Sequence, residues 1–272
     1  MASQTFKKFQ ARYHYSYILL QQLVKSDFKL RYQGSVLGYL WSLLRPLAIF
    51  LIMYIVFLKF LRFNYGVPHS TVYLLLGIVL WNFFTEVTST GLSSIVGKGD
   101  LLRKINFPKY VVVLAVSFSA LINLILNFVV IAVFMVADHV SITPHILWAL
   151  PLLAELFVIA LAFAFMLSAV FVKLRDMSYI WEVLLQGAFY ATPIFYPLIL
   201  VPAKYAKFMM LNPIAQIIQD LRHVIVTPKT PTITTYWHSG YIRLVPISIV
   251  VAIAVVSVYY FRKNSKNFAE DI

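Results

Sequence analysis

Six long apolar runs constrain this chain more than any other feature: Pro46–Leu61, Val72–Leu92, Tyr110–Val136, Ile146–Val172, Tyr179–Leu200 and Leu244–Phe261. A bilayer core of about 30 Å takes roughly 20 apolar helical residues to cross. Several runs reach that length, and the shorter ones carry aromatic or basic flanks suited to the headgroup layer. The expected fold is an all-α membrane protein with six transmembrane helices.

Basic residues set the orientation. Sixteen of the 23 Lys and Arg fall on one side of the alternating runs. They occupy the stretch up to Arg45, the second connection (Lys98, Arg103, Lys104, Lys109), the fourth (Lys173, Arg175) and the end (Arg262, Lys263, Lys266). Five of the other seven lie in one long segment, which weighs less in the positive-inside rule. Both termini are therefore expected in the cytoplasm, with Ile233–Tyr241 outside. The net charge of +13 matches the surplus that anionic lipids attract to the cytoplasmic interface, and no nucleic acid is needed to explain it. The absence of Cys excludes disulfides, thiolate metal sites and a Cys nucleophile. The first dozen residues are polar and carry no small-residue cleavage signal, so no removable signal peptide is expected. At 61% apolar over 272 residues, no soluble catalytic domain is expected, and residues 1–272 read as a single membrane domain.

Residues 14–33 are too polar to span, yet Leu20, Leu23, Val24 and Phe28 recur at helical spacing while Lys25 and Lys29 mark another face. This pattern fits an amphipathic helix in the cytoplasmic interface, or a solvated N-terminal helix. Gly34 and Gly38 mark the bend into the first run. Arg45 is expected near the cytoplasmic interface or against a wet cavity, with Pro46 starting or kinking the helix. The second run turns polar at Asn82, Thr85, Glu86, Thr88, Ser89 and Thr90. Glu86 and Glu155 are carboxylates at membrane depth. They read either as a proton or substrate site or, structurally, as carboxylates near an interface or hydrogen-bonded to a neighbouring helix. Between the fifth and sixth runs, Tyr205–Leu211 and Ile214–Val226 have helical apolar spacing but are too short to cross, which points to re-entrant or interface-lying helices around Asn212-Pro213.

Several catalytic motifs fail. Gly97-Lys98-Gly99-Asp100 matches the short string of intramembrane aspartyl proteases, but that chemistry needs a second Asp at membrane depth to share one proton. Apart from Asp138 at an outer helix end, none is present. No serine-protease or H-E-x-x-H string occurs, and the six His are scattered over both sides. No catalytic or metal-ligating residue is assigned. There is no G-x-x-x-x-G-K-[ST] phosphate loop, so energy for any work must come from an ion gradient or a separate ATPase.

The connection Gly97–Tyr110 offers a mechanical link. Leu101, Leu102, Ile105 and Phe107 read as exposed apolar knobs beside Arg103, Lys104 and Lys109, able to enter a partner's groove or dock on the membrane surface. In the fifth run, Phe189, Tyr190, Phe195 and Tyr196 stand beside Pro193 and Pro197. Such rings either stack on sugar or simply face lipid.

Four stretches carry a family resemblance: RYQGSVLGYLWSLLRPL (31–47), RKINFP (103–108), RDMSYIWEVLLQGAFYATPIFYP (175–197) and LNPIAQIIQDLR (211–222). Together they resemble the membrane subunits of ABC-2-type exporters, closest to the permeases for O-antigen, other surface polysaccharides and teichoic acids. The resemblance implies a bacterial cytoplasmic-membrane homodimer, two copies of a separate ABC ATPase that binds ATP and Mg, and no cofactor in this chain. It implies an interface helix within 11–35, a six-span region over 36–261, a cytoplasmic tail over 262–272 and outer gate helices within Tyr205–Val226. It further implies ATPase coupling through Leu101, Leu102, Arg103, Lys104, Ile105 and Phe107. A channel for a lipid-linked glycan would be lined by Tyr39, Trp41, Phe189, Tyr190, Phe195 and Tyr196. An exporter of lipids or drugs shares this architecture, and an ion-coupled secondary transporter working through Glu86 or Glu155 is the other alternative. Arg45 departs from the family's pattern, in which Asn often precedes the proline.

Overall fold

The computed structural model describes residues 15–27, 29, 35, 37–60, 66–105 and 107–268. The remaining parts of the 11–35 segment, and residues 269–272 of the tail, lie outside the described residues. Helix α1 covers 15–27. It is followed by α2 (Trp41–Met53), continued by a wider π-helical turn over Tyr54–Phe60, then α3 (Ser70–Gly97), α4 (Gly99–Lys104) and α5 (Tyr110–Ala137). The second half holds α6 (Ala149–Lys173), α7 (Met177–Ala191), α8 (Ala203–Met209), α9 (Pro213–Ile225), α10 (Ile233–Trp237) and α11 (Leu244–Asn264).

Among the described residues, four helices are long and apolar enough to cross a bilayer: Ser70–Gly97, Tyr110–Ala137, Pro144–Lys173 and Gly240–Asn264. The first run forms a shorter apolar helix, Trp41–Phe57. The fifth run corrects the expectation of one helix over Tyr179–Leu200, because α7 ends at Ala191 and Thr192 turns extended at φ −101°, ψ 138°. Pro193 explains this. It cannot donate to a carbonyl one turn back, and its ring pushes the preceding residue out of helical geometry.

Helix α3 is the hub. Its most apolar stretch is 78% buried, against 22% for the last spanning helix, although α3 is the least apolar of the four. Lipid is as apolar as any core, so a bundle in a bilayer gains by turning its polar helix inward. Close packing against α6 rests on small residues: a Cβ on Gly91 would stand 2.5 Å from the Ala164 Cβ and 3.1 Å from its Cα. Pro46 lies inside α2 rather than at its start. A proline there cannot donate to the Ser42 carbonyl, and Asn127 Nδ2 of α5 donates to that oxygen instead at 3.3 Å.

Polar ties sort the connections into two ends. At one, Lys98 Nζ meets Asp27 Oδ1 at 2.7 Å, Lys109 Nζ donates to the Ser265 carbonyl at 2.6 Å, and Lys173 Nζ reaches Asn264 Oδ1 at 3.2 Å. The C-terminal end of the described chain is docked there, with Phe268 fully buried and its ring 5.4 Å from that of Phe261. At the other end, His69 Nδ1 stands 3.4 Å from Asp138 Oδ2. Residues near both termini thus share one end of the bundle, and alternate connections face opposite ends.

Candidate functional site

The α3 positions Asn82, Thr85, Glu86 and Ser89 follow the i, i+3, i+4, i+7 spacing that places side chains on one helix face. Two cavities meet on that face. One, of about 590 Å³, lies between α2, α3 and α7, where Trp81, Trp181, Glu182, Gln186, Phe189 and Tyr190 complete the lining. The other, of about 410 Å³, lies between α2, α3 and α5 and adds Trp41, Arg45, Glu86, Asn123 and Asn127. Asn82, Thr85 and Ser89 border both, so the two spaces share one polar wall.

The polar groups are held in place. Glu86 Oε1 accepts from Asn123 Nδ2 at 2.7 Å, and Asn127 Nδ2 also donates to the Asn123 carbonyl at 2.8 Å. Of the readings left open for Glu86, the geometry supplies the hydrogen bond to a neighbouring helix. Glu155 borders neither cavity. Arg45 borders the second, as one of its two readings anticipated.

A file of rings runs beside the polar stripe. Centroid separations are 6.4 Å from Trp181 to Phe84, 5.6 Å from Phe84 to Trp81 and 6.0 Å from Trp81 to Phe189. Phe189 then stacks on Phe195 at 5.6 Å, and Phe195 meets Tyr196 at 5.0 Å and Phe57 at 5.2 Å. Two polar handles fix the ends: Trp181 Nε1 donates to Thr88 Oγ1 at 3.2 Å, and the Tyr196 hydroxyl donates to the Tyr190 carbonyl at 3.1 Å. Rings with an apolar face beside amides and hydroxyls suit a ligand that has both C–H faces and hydroxyl edges.

The aromatic residues singled out from sequence divide accordingly. Trp41 lines the second cavity; Phe189 and Tyr190 line the first; Phe195 and Tyr196 extend the ring file into the break after α7. Tyr39 lies in the 3-10 turn Gly38–Leu40, and its side chain is outside the described residues. Sequence reasoning missed Asn82, Thr85, Ser89, Trp81 and Trp181 as a site. Their signal was the polar stripe of the second run, which only joins the rings once α7 is folded against it.

The loop after α3 requires a correction. Leu102 and Phe107 are not exposed knobs: each is 6% exposed and packs into the core. The helix α4 has only six residues, so it has one apolar face, and the bundle end takes it. What remains outside is Ile105, at 41% exposure, with Arg103 and Lys104, while Leu101 is half-buried. A polar hollow of about 270 Å³ beside them is bordered by Asp100, Arg103 and Arg175, which brings the fourth connection next to the second. Among the described residues, no three His, Cys, Asp or Glu stand together as a metal site.

The bundle thus has its least apolar spanning helix at the centre and an internal polar wall. Residues 18–226 match the ABC-2 type transporter family, and the chain belongs to that family. It is a multi-pass membrane protein of that class. The chain is 30% identical over 257 residues to the O-antigen export system permease protein RfbA of Myxococcus xanthus, covering 93% of this chain and 95% of that protein. It is 28% identical over 262 residues to a protein of the same name from Klebsiella pneumoniae, covering 94% and 95%. A second Klebsiella pneumoniae protein of that name is 27% identical over 262 residues.

Proposed function

We propose that this chain is the membrane subunit of an ATP-driven exporter that carries a lipid-linked polysaccharide across the bacterial cytoplasmic membrane. The observation that carries the reading is the pair of cavities joined along Asn82, Thr85 and Ser89 and flanked by the Trp181-to-Tyr196 ring file. A sugar chain presents C–H faces to rings and hydroxyl edges to amides, so the Trp81, Trp181, Phe189 and Tyr190 rings beside the polar stripe let it slide without a single tight site. The names of the relatives agree with such a substrate.

Two copies of the chain act together, with both termini and α4 in the cytoplasm. Counting α2 and the broken α7 with the four long helices gives six passes, with α8 and α9 as gate helices at the outer end. The sequence holds no phosphate loop, so ATP and Mg are bound by a separate subunit, two copies of which dock at α4 through Ile105, Arg103 and Lys104, with Leu101 beside them. Leu102 and Phe107 serve this contact from behind, by holding the loop's shape.

The test is export in a reconstituted complex with its ATPase. Asn82→Leu together with Trp181→Ala should cut glycan export while leaving assembly with the ATPase intact. Export at the wild-type level from a normally assembled variant would refute the pathway.

A further inference from the structure

Arg222 of α9 is fully buried at the end of the bundle opposite the Lys98–Asp27 pair, where a charge needs several partners to be tolerated. Its Nε donates to the Tyr73 carbonyl at 3.0 Å, Nη1 to the Pro193 carbonyl at 2.6 Å, and Nη2 to the Ile194 carbonyl. The guanidinium also lies 3.7 Å from the centroid of the Tyr73 ring. Pro193 and Ile194 form the break that ends α7. Carbonyls just beyond a helix end lack helical donors, and irregular backbone in a bilayer is tolerated only where protein satisfies it. A planar fork of five donors can serve several carbonyls at once, which a Lys ammonium on a flexible stem cannot reproduce. Opposite the fork, α3 presents Gly77. A Cβ there would come within 2.8 Å of the Ile194 oxygen and closer still to the guanidinium. A parallel tie, Tyr73 hydroxyl to Gln219 Oε1 at 3.2 Å, links the same two helices.

We propose that Arg222 is a positioning residue for transport. It fixes the outer helix α9 to the break after α7, so that displacement of α9 carries the Phe189, Phe195 and Tyr196 rings with it. The inference rests on reading those rings as part of the pathway for the transported chain. Three elements meet on this one side chain: the first turns of α3, the last turn of α9 and the backbone that bears the rings. An outer helix tied in this way is a gate element whose position sets the width beside the ring file.

The chain has no Cys, so a pair of spin labels can be placed cleanly on the full-length protein in lipid bilayers. Ile199→Cys, on an exposed residue just past the break, and Lys229→Cys, just past α9, report the distance between the two segments. Arg222→Lys keeps the charge but loses the shared carbonyls, and Gly77→Ala crowds the same fork from α3. Each should broaden the distance distribution and lower export by the assembled complex roughly tenfold, the scale of one lost charge-assisted hydrogen bond. The double variant should be no worse than the poorer single one, because both act through one contact. Unchanged distances in the folded variants, with only a lower thermal midpoint, would mean that Arg222 is merely structural and would overturn the proposal. Additive losses in the double variant, or broadened distances with normal export, would overturn it too. If the wild-type complex exports no glycan, the polysaccharide reading fails, and the distance measurement still decides whether the tie exists.

Discussion

Replacing Gly91 by Ala tests the packing that holds the polar wall in place. The added Cβ would lie 2.5 Å from the Ala164 Cβ and 3.1 Å from its Cα, where ordinary contact begins at 3.4 Å. The shortfall is about 0.9 Å, and neither side chain can rotate away, because each Cβ is fixed to its own backbone. The α3 and α6 backbones must therefore separate. Overpacking of this kind costs about 1–3 kcal/mol. Ala gains back about 1 kcal/mol of helix propensity over Gly, so a net loss of up to about 2 kcal/mol is expected. Equilibrium unfolding in mild detergent with a graded denaturant measures it. Ala164→Gly in the Gly91→Ala background removes the nearer clash and should restore most of the loss, leaving only the 3.1 Å approach to the backbone. The two changes touch one contact, so they should be strongly non-additive. A Gly91→Ala protein more stable than wild type, or no rescue by the second change, would refute the claim that this crossing is close-packed.

Four further outcomes are expected. Leu102→Ala or Phe107→Ala should destabilise the α4 region by about 2–5 kcal/mol, the range for emptying a large buried side chain, and lower the thermal midpoint of the isolated chain. In contrast, Ile105→Ala with Arg103→Glu should leave that midpoint unchanged and weaken co-purification of the ATPase; retained association would place the docking surface elsewhere. A Cys at the exposed Ser239 should react with a membrane-impermeant thiol reagent from outside intact cells, and reaction only after permeabilisation would reverse the proposed orientation. Asn127→Leu removes the donor that α5 lends to the Ser42 carbonyl at Pro46, and should cost about 1–3 kcal/mol in the same unfolding assay.

Run length and punctuation were legible in the sequence. Val72–Leu92, Tyr110–Val136, Ile146–Val172 and Leu244–Phe261 became long helices, because the cost of burying polar backbone in hydrocarbon depends on little but length and apolarity. The short helices after the fifth run were legible too. Asn212 caps α9 by accepting from the Ile214 amide at 3.0 Å, with Pro213 at the first helical position, a local signal that needs no tertiary contact. Faces were not legible. Against water an apolar face must turn inward, but in a bilayer lipid and protein neighbours are equally apolar, so periodicity does not say which side of a helix meets which. Only the tertiary structure turned Leu102 and Phe107 inward and laid the α3 stripe against the rings of α7. Arg222 is the sharpest case. Counted along the chain it is one more basic residue of an outer segment. Folded, it is a buried fork whose partners are carbonyls 28, 29 and 149 residues away, and no local pattern records a bond to a distant backbone oxygen.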